Sequence, residues 1–362
     1  MRGLTKKPIT IMKILSPSAL LALAAASQAQ KLEWSVLPPL PDPHGFAAPV
    51  AGVARGALLV GGGANFPDKM PWEGGTKIWY DRVWVLDAPD GAWKEAGRLP
   101  RPLGYGVSVS VAEGVFCAGG ADSQSHRAET FLLDLKEGKL DVRPLRDLPV
   151  ACANMCGAVL GRTVFVAGGQ AAPDSTSAFR CFWSFDLDHP DKGWAELDPW
   201  PGAGRILAVA AAADGSFFLC GGCSLAPDAN GKAARTYLTD AYRFTPGKGW
   251  AQIPDLPRAA VAAPSPAPVI KGRTILVLGG DDGTKANFEP KTLHPGFPRG
   301  IMAYDTKTRQ WGAAGEVPAP RATVPVVEWH GKFVIPNGEV RPGVRSPEVH
   351  VLAVKDEGTG DK

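Results

Sequence analysis

Apolar runs of three or four residues that stop at glycine recur along the chain. They are Leu58-Leu59-Val60-Gly61-Gly62, Val115-Phe116-Cys117-Ala118-Gly119-Gly120, Val164-Phe165-Val166-Ala167-Gly168-Gly169, Phe217-Phe218-Leu219-Cys220-Gly221-Gly222 and Ile275-Leu276-Val277-Leu278-Gly279-Gly280. A sixth, Phe333-Val334-Ile335-Pro336-Asn337-Gly338, keeps the run and replaces the doublet with Asn-Gly. A second periodic signal sets an aromatic residue ahead of a Leu-Pro-like turn. It joins Trp34 to Leu40-Pro41, Trp93 to Leu99-Pro100, Trp194 to Trp200-Pro201, Trp250 to Leu256-Pro257 and Trp311 to Val317-Pro318, with a copy at Val142 to Leu148-Pro149 that lacks the Trp. Both series count six. Between them lie β-branched and aromatic runs such as Val83-Trp84-Val85-Leu86 and Met302-Ala303-Tyr304, so each unit predicts four strands.

The 333 residues after the first 29 divide into six units of about 55, near the repeat length of kelch blades. The predicted fold is all-β, a six-bladed kelch-type β-propeller, because stacked four-stranded sheets bury each other's apolar faces and radial closure removes open edges. The last unit, from Arg321 to about Val354, has only three strand-like segments, whereas Leu32 to Leu37 around Trp34 is an orphan strand of the missing type. The N-terminal strand is therefore expected to complete the last blade. The expected organisation is a signal segment over 1–29, one propeller over 30–355 and a polar, disordered tail over 356–362.

The signal reading rests on Met12-Lys13, the apolar run Ile14 to Ala26, and Ser27-Gln28-Ala29 with small residues at −3 and −1. That run is too short to span a bilayer and no other run reaches 18 apolar residues. An exported protein, periplasmic or secreted and without a membrane span, is expected. Removing the segment leaves 35 basic and 36 acidic residues, which takes away the electrostatic motive for nucleic-acid binding. The 43 Gly, 34 Pro and 11 Trp suit a loop-rich β protein and exclude a coiled coil or a disordered chain. Six cysteines read as small buried hydrophobes, with one or two disulfides as the alternative; Cys220-Gly-Gly-Cys223 has neither the setting of a redox motif nor a second CxxC for zinc.

The doublets read as structural, because Gly tolerates positive φ and close backbone approach at a strand end. No helix follows Gly61-Gly62-Gly63, so a nucleotide fingerprint fails its context. Loops between the second and third strands gather at one mouth of a propeller's channel, and here they hold Lys77, Arg82, Arg127, Arg180, Arg235, Arg299 and Arg345. A cationic mouth and an anionic small molecule are expected. The sixth loop, Asn337-Gly-Glu-Val-Arg-Pro-Gly-Val-Arg345, sets Glu339 six residues from Arg345. Glu339 suits a proton acceptor and donor, and Arg345 a bidentate carboxylate ligand; a structural ion pair is the alternative.

That run resembles the Asn-Gly-Glu-x-Lys-Pro-Gly-x-Arg segment of the N-acetylneuraminate epimerases, or sialate mutarotases. The resemblance extends to Gly62-Gly63-Ala64-Asn65-Phe66 with its long loop to Tyr80, and to Gly104-Tyr105-Gly106-Val107-Ser108. In those epimerases the Glu-bearing blade lies mid-chain and here it is last, so the chain looks like the cyclically permuted mutarotase branch of the kelch family. The resemblance implies interconversion of sialic acid anomers, with Glu339 as proton acceptor and Arg345 as carboxylate ligand. It implies neither metal nor redox cofactor. Asn65, Lys77, Arg127, Arg180, Arg205, Arg235 and Arg299 are the further substrate-binding candidates, Arg205 on its place in Gly202-Ala203-Gly204-Arg205. His44 and His294 read as exposed turn histidines, and Trp72 and Trp79 as sugar-stacking or core residues. Two other readings stay open: a non-catalytic propeller that binds an acidic sugar or a protein, and a copper radical oxidase. The second needs paired His and Tyr ligands, whereas the six His are scattered singly. The oligomeric state stays unassigned.

Overall fold

Each repeat folds as an antiparallel four-stranded sheet, because its runs alternate between inward positions and positions facing the next sheet. The structure, a computed structural model, describes residues 31–355, and Leu32–Val354 is the compact unit. The signal segment and the polar tail expected at the two ends lie outside the described residues. Blade I comprises Val50–Ala54, Ala57–Gly61, Arg82–Leu86 and Lys94–Arg98. Blade II comprises Val107–Val111, Gly114–Ala121, His126–Lys136 and Lys139–Pro144. Blade III runs from Cys156–Leu160 to Trp194–Leu197, blade IV from Val209–Ala213 to Gly249–Ile253, and blade V from Val269–Ile270 to Gln310–Glu316. Blade VI takes Val327–Trp329, Lys332–Pro336 and Val349–Lys355 from the end of the chain and Lys31–Leu37 from its start. The orphan strand thus closes the ring as expected. Among the described residues the helices are short 3-10 turns, and none is long and apolar enough to cross a membrane.

Six apolar clusters fill the spaces between neighbouring blades. The one that joins blade VI to blade I packs Trp329, Val334, Val349 and Val351 against Leu58, Val60 and Leu86. Tryptophans at the outer strands of blades I, IV and V tie each of these blades to the one before it. Trp93 Nε1 donates to Pro38 O, Trp250 to Asp198 O and Trp311 to Pro254 O, each at 2.8 Å. The Leu-Pro-like turns bury Leu40, Leu99, Leu148, Trp200, Leu256 and Val317. Burial of each such side chain is worth about 1.5–3 kcal/mol, so the repeated turn is a main contributor to the inter-blade core.

The doublets prove conformational. Gly62 and Gly63 have φ of 64° and 81°, and Gly168 and Gly169 have 70° and 103°. A Cβ on Gly168 would meet Arg205 O at 2.3 Å. Asn337, at φ 69°, takes the glycine place in blade VI, as the residue type that best tolerates the left-handed region after glycine.

The channel is spanned by a feature with no sequence signature. Ala48, Tyr105, Asn154, Leu207, Ala262 and Thr323, one residue leading into each blade, all have φ between 50° and 62°. Each donates its backbone N–H to the carbonyl of the one before it, and Ala48 donates to Thr323, so six bonds of 2.6–3.1 Å close a ring. Left-handed geometry in a non-glycine residue costs on the order of 1–2 kcal/mol; the closed ring of hydrogen bonds offsets it. All six cysteines are free and five are buried, so none pairs as a disulfide. Burial pushes the Cys156 and Cys220 thiols up to about 12.

Candidate active site at the channel mouth

Beyond each doublet the chain makes one bridge back to its own blade's lead-in. The bridges pair Ala64 with Ala47, Ala121 with Gly104, Gln170 with Ala153, Cys223 with Ile206, Asp281 with Val261 and Glu339 with Ala322. Six equivalent positions therefore surround the hydrogen-bonded ring, and Glu339 occupies one of them. A cavity of about 350 Å³ opens above. Tyr105, Asn154, Leu207, Ala262 and Thr323 of the ring line it, together with Gln170, Asp281 and Glu339.

Glu339 and Arg345 face each other because the chain between them is a hairpin. Glu339–Arg341 pairs with Val344–Arg345, in the register Glu339 to Arg345. Pro342 and Gly343 form the turn, with Gly343 at φ 83°, the order in which a type II turn takes Pro and Gly. Across the strands Arg345 Nη2 lies 2.8 Å from Glu339 Oε1, with the Arg345 side chain 3% and the Glu339 side chain 18% exposed. Thr323 donates its hydroxyl to Glu339 Oε2 at 3.1 Å, so a member of the ring fixes the carboxylate. The 3-10 turn Pro71–Glu73 of blade I backs the hairpin, Trp72 and Pro71 lying where a Cβ on Gly343 would go.

Lys77 joins this corner from blade I. Its Nζ lies 5.9 Å from the centre of the Phe66 ring, and the Arg345 guanidinium lies 4.8 Å from the same centre. Two cations share one phenyl group, each attracted to its π electrons and neither neutralised by it. Trp79 and Tyr105 complete the cage around Lys77, at 5.5 and 5.1 Å, and Nζ reaches Tyr105 Oη at 3.5 Å. An anionic group entering here meets one ammonium and one guanidinium on apolar backing.

The structure brings Glu339, Arg345, Lys77 and Arg235 to the mouth and puts the other sequence candidates elsewhere. Asn65 is a 1% exposed strut, its Nδ2 donating to Gly45 O at 2.9 Å and its Oδ1 accepting from Tyr80 Oη at 2.8 Å. Arg205 is fully buried, bonded to Asp240 at 2.9 and 2.7 Å and sandwiched by Trp200 and Tyr242, so it holds blades III and IV and reaches no substrate. Arg127 is spent on Asp122, Arg299 on Glu316 at 3.3 Å and Arg82 on Glu95 at 3.2 Å; Arg180 is exposed outside the lining. His294 is 7% exposed and packs against Phe288, not an exposed turn residue.

The uniformly cationic mouth also needs correction. Asp122, Asp281 and Glu339 line it beside Lys77, Arg235 and Arg345. Sequence reasoning counted the loop arginines and missed Asp281, which follows its doublet directly as Glu339 follows Asn337-Gly338, and Asp122, one residue further on in its own loop. It also missed His126, at 6% exposure, and Tyr237, whose hydroxyl donates to Asp281 Oδ2 at 2.9 Å. Among the described residues no three His, Cys, Asp or Glu side chains cluster as metal ligands.

A family model described as N-acetylneuraminate epimerase matches residues 21–142. The chain resembles the N-acetylneuraminate epimerases. The relative from Haemophilus influenzae (strain 86-028NP) is 29% identical over 230 residues, which are 56% of this chain and 58% of the relative. That from Salmonella enteritidis PT4 (strain P125109) is 41% identical over 129 residues, 31% of this chain and 33% of the relative. The matched stretches thus span about half or less of the curated relatives' length. The solved structure titled "Structure of YjhT" superposes with a TM-score of 0.66 at 16% identity, covering 89% of this chain and 100% of that one, and shares the fold. The matched family segment supplies blade I, most of blade II and the Lys77 cage; Glu339 and Arg345 lie beyond it.

Proposed function

We propose that the protein is a mutarotase that interconverts the anomers of N-acetylneuraminate, built on a permuted kelch-type ring. The observation that carries this reading is the corner where Glu339 and Arg345 sit paired at 2.8 Å beside Lys77. A carboxylate in reach of two cations is what opening a carboxylated hemiketal requires. Lys77 and Arg345 hold the C1 carboxylate, the guanidinium in bidentate fashion. Glu339 removes the proton of the anomeric hydroxyl at C2. The C2–O6 bond then breaks, its electron pair passing to the ring oxygen, which takes up the proton that Glu339 removed, while C2 becomes a ketone. Reclosure on the other face reverses these steps and releases the second anomer. No electron acceptor enters the balance. Positioning and general acid–base catalysis supply the acceleration. The similarity to the epimerases supports the substrate class, and the predicted signal over residues 1–29 supports a periplasmic or secreted setting.

The test is proton NMR of α-N-acetylneuraminate, freshly released by a sialidase, with and without the protein at one pH. A faster approach to the anomeric equilibrium is the expected result. A rate equal to the spontaneous one, with saturable binding of the sugar, would replace catalysis by a sugar-binding propeller; neither exchange nor binding would overturn the sialate reading altogether.

A further inference from the structure

His126 begins the third strand of blade II and lines the mouth cavity one blade from Lys77 and two from Arg345. Its Nδ1 lies 2.9 Å from Gln170 O. A carbonyl oxygen only accepts, so Nδ1 carries a hydrogen in either protonation state, and in the neutral ring Nε2 is a bare lone pair. The same carbonyl takes the Ala153 N–H at 3.2 Å, which pins it as part of the blade III bridge. Among the described residues no donor is recorded at Nε2. A 6% exposed ring with one nitrogen fixed by backbone and the other unpartnered in a polar cavity is built to receive a donor.

We propose that His126 is a substrate-binding residue of the mouth, its Nε2 accepting a hydrogen bond from a hydroxyl or amide N–H of the sugar whose carboxylate is held by Lys77 and Arg345. The inference rests on the mutarotase reading and assigns His126 to recognition, not to the proton transfers at C2. Arg345 and Lys77 offer only donors, so they orient the acid end of the substrate. His126 reads a neutral donor elsewhere on it. The charged groups around His126 are Asp174, whose field favours the imidazolium, and the Asp122–Arg127 pair beside it. Burial outweighs Asp174 and holds the ring below the usual imidazole range. Acidification therefore converts Nε2 from acceptor to donor and removes the proposed contact.

The experiment measures anomer exchange and, separately, binding of N-acetylneuraminate by saturation-transfer NMR, from pH 5 to 8, for the intact wild type, His126→Phe and His126→Gln. Gln places an amide oxygen near the position of Nε2 and does not titrate. The expected result is a KM raised about three- to tenfold in His126→Phe, the loss falling on KM rather than on kcat. The wild-type KM climbs on acidification, with its onset below the ordinary imidazole range, and His126→Gln flattens that climb while it retains most of the affinity. A wild type that exchanges anomers and a folded His126→Phe with unchanged KM would overturn the proposal alone; a KM climb that persists in His126→Gln would also overturn it. A wild type that neither binds nor turns over the sugar would remove the mutarotase reading and the proposal together.

Discussion

Replacing Glu339 by Gln removes the group proposed to take the anomeric proton, and the surroundings show why the rest of the site should survive. Glu339 Oε1 faces Arg345 Nη2 at 2.8 Å and Oε2 faces the Thr323 hydroxyl at 3.1 Å. An amide can keep its oxygen towards the guanidinium and turn its NH2 towards the hydroxyl, which accepts as well as donates. Arg345 also keeps its bond to Gly343 O and its contact with Phe66, so the stability lost should be about 1–2 kcal/mol. Loss of the general base should lower kcat by about 10²–10⁴, a barrier increase of about 3–5 kcal/mol. KM should hold or fall, because the guanidinium no longer divides itself between Glu339 and the substrate carboxylate. Anomer exchange followed by NMR, with a urea melt as the control for folding, measures both. A Glu339→Gln protein that folds and keeps kcat within about threefold of wild type would refute the proton-transfer assignment.

Arg205→Met should cost about 3–5 kcal/mol in urea unfolding, because it strands Asp240 beside a buried apolar pocket, and should leave KM and kcat as they are; a kinetic defect in a stable variant would return Arg205 to the site. Asp305 is held at about 2, first by its bond to Arg273. Its folded-state value is depressed, so its contribution is present above about pH 4 and is lost as pH falls towards 2; Asp305→Asn should flatten that acid limb, and an unaltered limb in the variant would contradict it. The Cys156, Cys181 and Cys220 thiols stand near 12 through burial, so iodoacetamide at pH 8 should label the folded protein slowly and all six cysteines rapidly in denaturant. A fast native phase would show a thiolate at the surface.

Much of this protein is determined by local physics. Glycine doublets, Leu-Pro-like turns and strand runs repeat six times, and a strand-rich unit that cannot bury itself alone stacks on copies of itself. The orphan strand around Trp34 and the three-stranded last unit were enough to predict closure of blade VI. The Glu339–Arg345 pairing was also within reach, since Pro342-Gly343 makes a turn and a hairpin brings its two ends together. What required the folded ring was the fate of each cation. Lys77 and Arg345 stand 11 and 279 residues from Phe66 along the chain, and only closure of the ring sets both on that side chain. Arg205 reads like its neighbours in sequence, yet Asp240, 35 residues on, claims it through a contact that loop composition does not encode. The left-handed residues from Ala48 to Thr323 span five residue types; their conformation is selected by a six-member hydrogen-bonded ring that exists only once all six blades are in place. A single-residue preference can be read along the chain, but competition among distant partners for one charge is decided by distances that the tertiary structure alone sets.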